Sequence, residues 1–177
     1  LFEKPSLRTR VSFDIGINKL GGHCLYLDQQ NGALGKRESV ADFASNLSCW
    51  ADAIVARTFS HKTIEQLAEF GTVPVINALS DLYHPCQALA DFLTLAEHFE
   101  NISDVKLAYV GDGNNVTNSL MYCAAILGAT MTVICPAGHF PDGYVVAEVQ
   151  ELASRYGGKV VLTSDIGAIE GHDAIYT

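Results

Sequence analysis

The sequence lacks any run of about 20 consecutive apolar residues, the length a bilayer-spanning helix requires, across its 177 positions. It also lacks the charged, apolar, small-residue pattern of an export leader. These two absences lead to the expectation of a soluble, cytoplasmic globular protein. Paired cysteines are missing too: Cys24, Cys49, Cys86, Cys123 and Cys135 form no CxxC and no metal-ligand spacing. They are expected to be isolated reduced core thiols, with neither disulfide nor zinc. Basic residues are scarce, 11 Lys and Arg against 20 Asp and Glu, for a net charge of −9. That balance argues against a general nucleic-acid or anionic-membrane surface, so any anion must be bound locally. There is no internal repeat and no low-complexity segment. The chain opens at Leu1 without a methionine and stops in "HDAIYT", which reads as a buried strand, so it is expected to be a fragment.

What is present is a core-forming composition. Hydrophobic residues make up 49%, enough for one ordinary domain or two small ones. In "LRTRVSFDIGINKLGG" the residues Leu7, Val11 and Ile15 recur every four positions, Phe13, Ile17 and Leu20 widen the apolar stripe and Gly21-Gly22 supplies a stop, which predicts a helix. "HCLYLD" reads as a short strand, "NGALGKRE" as a polar loop and "SVADFASNLSCW" as a helix. "ADAIVAR", "HKTIEQLAEFG" and "VPVINA" follow as strand, helix and strand, the spacing of a parallel sheet. After the loop "LSDLYHPCQ", the stretch "ALADFLTLAEHF" predicts a long helix with Leu89, Phe92, Leu93 and Ala96 on one side. The pattern restarts with strand "VKLAYVGD", turn "GNN", helix "SLMYCAAILG", strand "TMTVIC", helix "YVVAEVQELASRYG" and strands "KVVLTS" and "HDAIYT". Composition changes at polar Glu100 to Asp104, which sets the expected boundary between a domain of residues 1–100 and one of residues 101–177. Both halves read as α/β with a parallel sheet flanked by helices, and such sheets bind ligands at the carboxyl ends of their strands.

Three stretches carry chemistry. In "FEKPSLRTR", Ser6 is a good N-cap, and the backbone N–H groups of residues 7 to 9 lack intrahelical acceptors. Basic side chains in a first turn oppose the macrodipole, at about 0.3 to 1 kcal/mol each. A phosphate seated on those amides, with Ser6, Thr9 and Arg8 donating, would offset this, since each charge-assisted bond contributes about 1.5 to 3 kcal/mol. The structural alternative is that Arg8 and Arg10 pair with Glu3, Asp14 or other carboxylates. In the second stretch, Arg57 ends an apolar strand, where a charge needs a cleft or a partner, and His84 and Gln87 flank Pro85 at the start of the next helix, on one face of its first turn. A guanidinium, an imidazole and an amide can together hold a polarised carbonyl and its attached nitrogen, which suits acyl-type transfer better than redox chemistry. The structural alternative is a satisfied histidine beside a solvated glutamine. The third stretch, "GDGNN", has the strand–turn–helix context of a dinucleotide fingerprint. It lacks the third glycine, however, and the following strand ends in Cys135-Pro136 without the acid that takes ribose hydroxyls. This argues against NAD. Asn114 and Asn115 suit a polar zwitterion such as an amino acid, or else simply stabilise the turn.

With "FEKPSLRTR", "HPCQ" followed by "ALADFLTL", and "GDGNN" in this order, the sequence resembles the transcarbamylase family over essentially its whole length, and within it the ornithine-specific branch. The resemblance implies the two-domain transcarbamylase fold, with residues 1–100 as the carbamoyl-phosphate-binding domain and residues 101–177 as the first part of an incomplete ornithine-binding domain. It implies transfer of the carbamoyl group of carbamoyl phosphate to the δ-amine of L-ornithine, giving L-citrulline and phosphate, without a metal or redox cofactor. Carried over by position, Ser6, Leu7, Arg8 and Thr9 bind the phosphate. Arg57, His84 and Gln87 act on the carbamoyl half with Thr9, and Asn115 contacts ornithine. The family also implies a homotrimer or a multiple of trimers. Two departures stand out. Leu7 occupies a position where threonine is commonest, which removes one hydroxyl but keeps a backbone N–H; Ala33 occupies the place of a glutamine that reaches a neighbouring subunit, a contact that Lys36 could make instead. Transfer to acetylornithine, putrescine or aspartate, and a non-catalytic anion-binding module of the same fold, are the alternatives. Arg10 is expected to be held by a carboxylate.

Overall fold

The computed structural model describes residues 1–28, 34 and 38–177. Ala33 and Lys36, where a cross-subunit contact is expected, lie outside the described residues. The chain forms two compact units, Leu1–Asp81 and Leu82–Thr177.

The first unit contains helices α1 (Leu7–Lys19), α2 (Val40–Ser48) and α3 (His61–Phe70) with strands β1 (Ile54–Arg57) and β2 (Val75–Leu79). β1 and β2 pair in parallel with α3 as their crossover, and the register shifts between Ala56 and Arg57. A parallel pair needs such a crossover, because a tight turn cannot reverse the chain twice. Phe2 runs beside β1: the Phe2 N–H donates to the Leu27 carbonyl, the Arg57 N–H to the Leu1 carbonyl, and the Glu3 N–H to the Arg57 carbonyl. "HCLYLD" is therefore no strand but a single bridge, Asp28 against Phe2. The core is built from Leu1, Ala44, Ile54, Ala56, Ile64 and Leu67. α1 contributes nothing to it. None of the α1 residues is buried, and the stripe residues Leu7, Val11 and Ile15 are 79%, 41% and 51% exposed. The spacing identified the helix correctly, but α2 and α3 already cover the two-stranded sheet, so the apolar stripe of α1 stays outside the core.

The second unit begins with α4 (Pro85–His98) and continues through β3 (Lys106–Val110), α5 (Asn115–Leu127), β4 (Thr130–Ile134), α6 (Gly143–Tyr156), β5 (Lys159–Thr163) and β6 (Ala174–Tyr176). All four strands are parallel, in the order β5-β4-β3-β6. The polar stretch Glu100–Asp104 follows α4, whereas the compact units divide ahead of that helix. α4 joins the second unit because it turns Ala88 and Phe92 into that unit's core. Of the stripe expected on α4, only Phe92 is buried; Leu89 and Leu93 are exposed, and the core face is Ala88, Phe92 and the partly covered Leu95. α5 is the central helix, burying seven residues from Thr117 to Ala125, and it ends at Gly128, whose left-handed φ of 78° closes the last turn. The helix starts at Asn115, four residues before "SLMY", so the turn after β3 is shorter than its sequence suggests. Within this chain β5 and β6 are the two edge strands of the sheet, and Ile175 of β6 is 61% exposed. Of the cysteines, Cys135 is buried, Cys49 is exposed and the other three are intermediate, so the core-thiol expectation fails for Cys49.

Candidate active site

At the start of α1 the Ser6 side chain accepts from the Thr9 N–H at 3.4 Å and its hydroxyl donates to Thr9 Oγ1 at 3.0 Å. The first turn contains no acidic residue. In this arrangement the Ser6 proton is engaged within the cap, so the donors left for an anion are the first backbone amides, the Thr9 hydroxyl and the Arg8 guanidinium. Leu7 projects its side chain away, as its exposure shows, which fits a residue contributing only its N–H. Arg10 is not held by a carboxylate. Its guanidinium carbon lies 3.9 Å from the Tyr26 ring centroid, and Tyr26 in turn sits 5.3 Å from Phe2. A guanidinium over an aromatic face is attracted by the ring quadrupole, so Arg10 needs no acid and the helix start keeps its positive field. Among the described residues the ion pair found is His139 with Asp112 at 3.4 Å; none involves Arg8, Arg10 or Arg57.

Arg57 is the last residue of β1, at the carboxyl edge of its sheet. Its Nε is buried without a hydrogen-bond partner, and burial lowers its pKa from the ordinary arginine value. An uncompensated guanidinium N–H at a strand end is a donor prepared for an external acceptor. Nearby, Glu3 accepts from the Phe59 N–H at 2.8 Å, so this carboxylate tethers the backbone instead of neutralising Arg57.

In the second unit His84 is the N-cap of α4, and Pro85 takes the first helical position, where its fixed φ and missing N–H cost nothing. The His84 backbone N–H donates to Ser119 Oγ at 2.8 Å, and the Ser119 hydroxyl donates to the Asn115 carbonyl at 3.0 Å. Asn118 Nδ2 donates to the Leu82 carbonyl at 3.0 Å. Two buried residues of α5 thus fasten the loop that carries His84. The Gln87 amide Nε2 donates to Asp91 Oδ1 at 2.9 Å, one helical turn on. Burial raises the Asp91 pKa and the Gln87 bond opposes that rise. Sequence reasoning missed Ser119 and Asp91; each stands four residues after a singled-out position, Asn115 and Gln87, and that helical spacing was the available signal.

β3 lies between β4 and β6, so the chain leaves it in both directions across the sheet. Its carboxyl end is the switch point at which open α/β sheets bind ligands, and "GDGNN" sits there. Gly113 is required by contact: a Cβ on it would lie 2.2 Å from the Pro141 nitrogen. Asn114 is structural. Its Oδ1 accepts from the N–H groups of Val116 and Thr117, and its Nδ2 donates to the Tyr109 hydroxyl. Asn115 is the first residue of α5, next to this cap. Among the described residues there is no cluster of three metal-ligating side chains, and no helix is long and apolar enough to cross a membrane.

An acid-free helix start capped by Ser6, and parallel sheets with polar residues at their carboxyl ends, make this an α/β protein with a candidate anion site. The chain belongs to the aspartate/ornithine carbamoyltransferase family: residues 1–97 match its carbamoyl-P binding domain and residues 103–177 its Asp/Orn binding domain. It is 97% identical over all 177 residues to an ornithine carbamoyltransferase of Shewanella oneidensis, of which it spans 59%, and 64% identical to one of a Vibrio species, of which it spans 58%. The structure matches ornithine carbamoyltransferase from Pyrococcus furiosus with a TM-score of 0.97 at 49% identity, covering 99% of this chain and 56% of that one. The anabolic enzyme of Campylobacter jejuni matches with a TM-score of 0.92 at 34% identity, covering 98% of this chain and 59% of that one. The fold class is thus that of the transcarbamylases, with a second domain shorter here than in these relatives.

Proposed function

We propose that the full-length protein containing this chain is an ornithine carbamoyltransferase. The observation that carries this reading is the helix start "SLRTR", free of acids and keeping its phosphate-type donors, in a chain 97% identical to the Shewanella enzyme. Residues 1–100 act as the carbamoyl-phosphate-binding domain and residues 101–177 as the first part of the ornithine-binding domain.

The uncharged δ-amine of L-ornithine attacks the carbonyl carbon of carbamoyl phosphate. A C–N bond forms, the bond from carbon to the phosphate oxygen breaks, and the amine loses a proton, giving L-citrulline and phosphate. Ser6, Leu7, Arg8 and Thr9 receive the phosphate, chiefly through backbone N–H groups and Arg8. Thr9 Oγ1 accepts from Ser6, so its own proton is available to donate. Arg57, His84 and Thr9 stabilise the carbonyl oxygen as it becomes anionic, the kind of stabilisation that contributes most to acyl-type transfers. Gln87 orients the carbamoyl nitrogen, and Asn115 contacts ornithine. The functional assembly is a homotrimer or a multiple of trimers in the cytoplasm.

A citrulline assay of the full-length protein, with carbamoyl phosphate and each of ornithine, acetylornithine, putrescine and aspartate, tests the reading. Ornithine is expected to be carbamoylated in strong preference to the others. Carbamoyl-phosphate binding by calorimetry with no turnover of any amine would leave a non-catalytic anion-binding module and refute the enzyme.

A further inference from the structure

We infer that Asp91 is a positioning residue that fixes which end of the Gln87 amide serves the carbamoyl group, and so makes the enzyme select an NH2 over a CH3 on its acyl phosphate. The inference rests on the assignment of Gln87 to the carbamoyl nitrogen made above.

A glutamine amide has a donating end and an accepting end of nearly the same shape, and either can face a ligand unless a neighbour decides. Here the neighbour is a carboxylate, which when ionised only accepts. Gln87 Nε2 donates to Asp91 Oδ1 at 2.9 Å, so the end left for the substrate is Oε1, an acceptor. The carbamoyl group presents N–H donors, and acetyl phosphate, its closest isostere, presents a methyl that cannot donate. An acceptor turned toward that methyl loses a hydrogen bond and is desolvated without replacement, the kind of mismatch that separates substrates most strongly. The placement of Asp91 supports the role. It lies one turn beyond Gln87 on the helix whose start is pinned by Pro85 and by the His84–Ser119 bond. Its other oxygen, Oδ2, is buried with no hydrogen-bond partner. A carboxylate half-covered in this way is costly to retain for packing alone, and an aliphatic residue would fill the place better.

The test uses the full-length protein and compares the dissociation constant of carbamoyl phosphate with the inhibition constant of acetyl phosphate on the same preparation. The ratio does not depend on how much of a variant folds. In the unaltered protein the ratio is expected to favour carbamoyl phosphate by about tenfold or more, the size of one well-made hydrogen bond to a buried group. Asp91→Leu, which removes the acceptor and frees the amide to rotate, is expected to lose most of that preference, and Asp91→Asn, whose own amide can face either way, to lose part of it. Gln87→Met gives the floor, and the two losses should not add in Asp91→Leu/Gln87→Met, because both act through one amide. An Asp91→Leu ratio within twofold of the unaltered protein, or additive losses, overturns the inference and leaves the transferase reading intact. Absence of carbamoyl transfer by the unaltered protein overturns the transferase reading, and the inference falls with it.

Discussion

Arg57 is the residue on which the chemistry is most exposed to test. Its Nε is buried and unpartnered, and burial lowers its pKa, so an external acceptor on Nε would offset a cost of folding. As one donor to a developing oxyanion it should be worth about two to three orders of magnitude in rate. Arg57→Ala in the full-length protein is therefore expected to lower kcat for citrulline formation by that amount, and steady-state kinetics showing a drop below tenfold would remove Arg57 from the mechanism. The positions of Ser6, Arg8, Arg57, His84 and Gln87 at element ends were legible in the sequence, because caps, strand ends and Pro at the first helical position are local signals. The partner of Arg10 was not. Tyr26 lies in an irregular segment brought alongside Phe2 by a single bridge, and no periodicity announces such a contact. The engagement of the Ser6 hydroxyl by Thr9 was equally hidden, since a cap motif reads the same whether its proton turns inward or outward.

At the level of elements, α5 does more than its composition suggests. It supplies Asn115 at its first position and, through Ser119 and Asn118, holds the loop that ends in His84. Ser119→Ala leaves the half-buried His84 N–H without its acceptor, a loss of about 1 to 3 kcal/mol. Urea unfolding of the full-length protein should register a destabilisation of that size, and kcat should fall while the affinity for inorganic phosphate, whose proposed site is at α1, stays near its original value. Equal loss of phosphate affinity would point to general unfolding. Hydrophobic spacing located these helices, but not which face they bury. On α4 the choice of Phe92 over Leu89 and Leu93 depends on α5, which lies more than twenty residues away in sequence. On α1 the stripe is real and stays uncovered. Spacing predicts an amphipathic helix; the neighbours decide what its apolar face meets.

For the molecule as a whole, that uncovered face has a measurable signature. Leu7, Val11, Ile15 and Leu20 on and just after α1, with Trp50 after α2, are all exposed, and apolar surface of this kind drives association. The chain of 177 residues spans 59% of the length of the Shewanella relative. Produced alone, it is expected to bind a hydrophobic dye and to self-associate with concentration in light scattering. Leu7→Ser, Val11→Ser and Ile15→Ser together should reduce both signals, since these side chains contribute nothing to the core. Unchanged dye binding in the triple variant would assign the effect to another surface.

The Ser119 tie also makes α5 sensitive to length in a way that most surface helices are not. Asn115 and Ser119 are one helical turn apart, and the same hydroxyl touches both the Asn115 carbonyl and the His84 N–H. A single residue inserted or deleted between them would turn Ser119 by about 100° about the helix axis and move it by about 1.5 Å, which would separate both contacts at once. The spacing from the start of α5 to Ser119 is thus a ruler: a substitution along it alters one contact, whereas a change in its length moves both Ser119 contacts together.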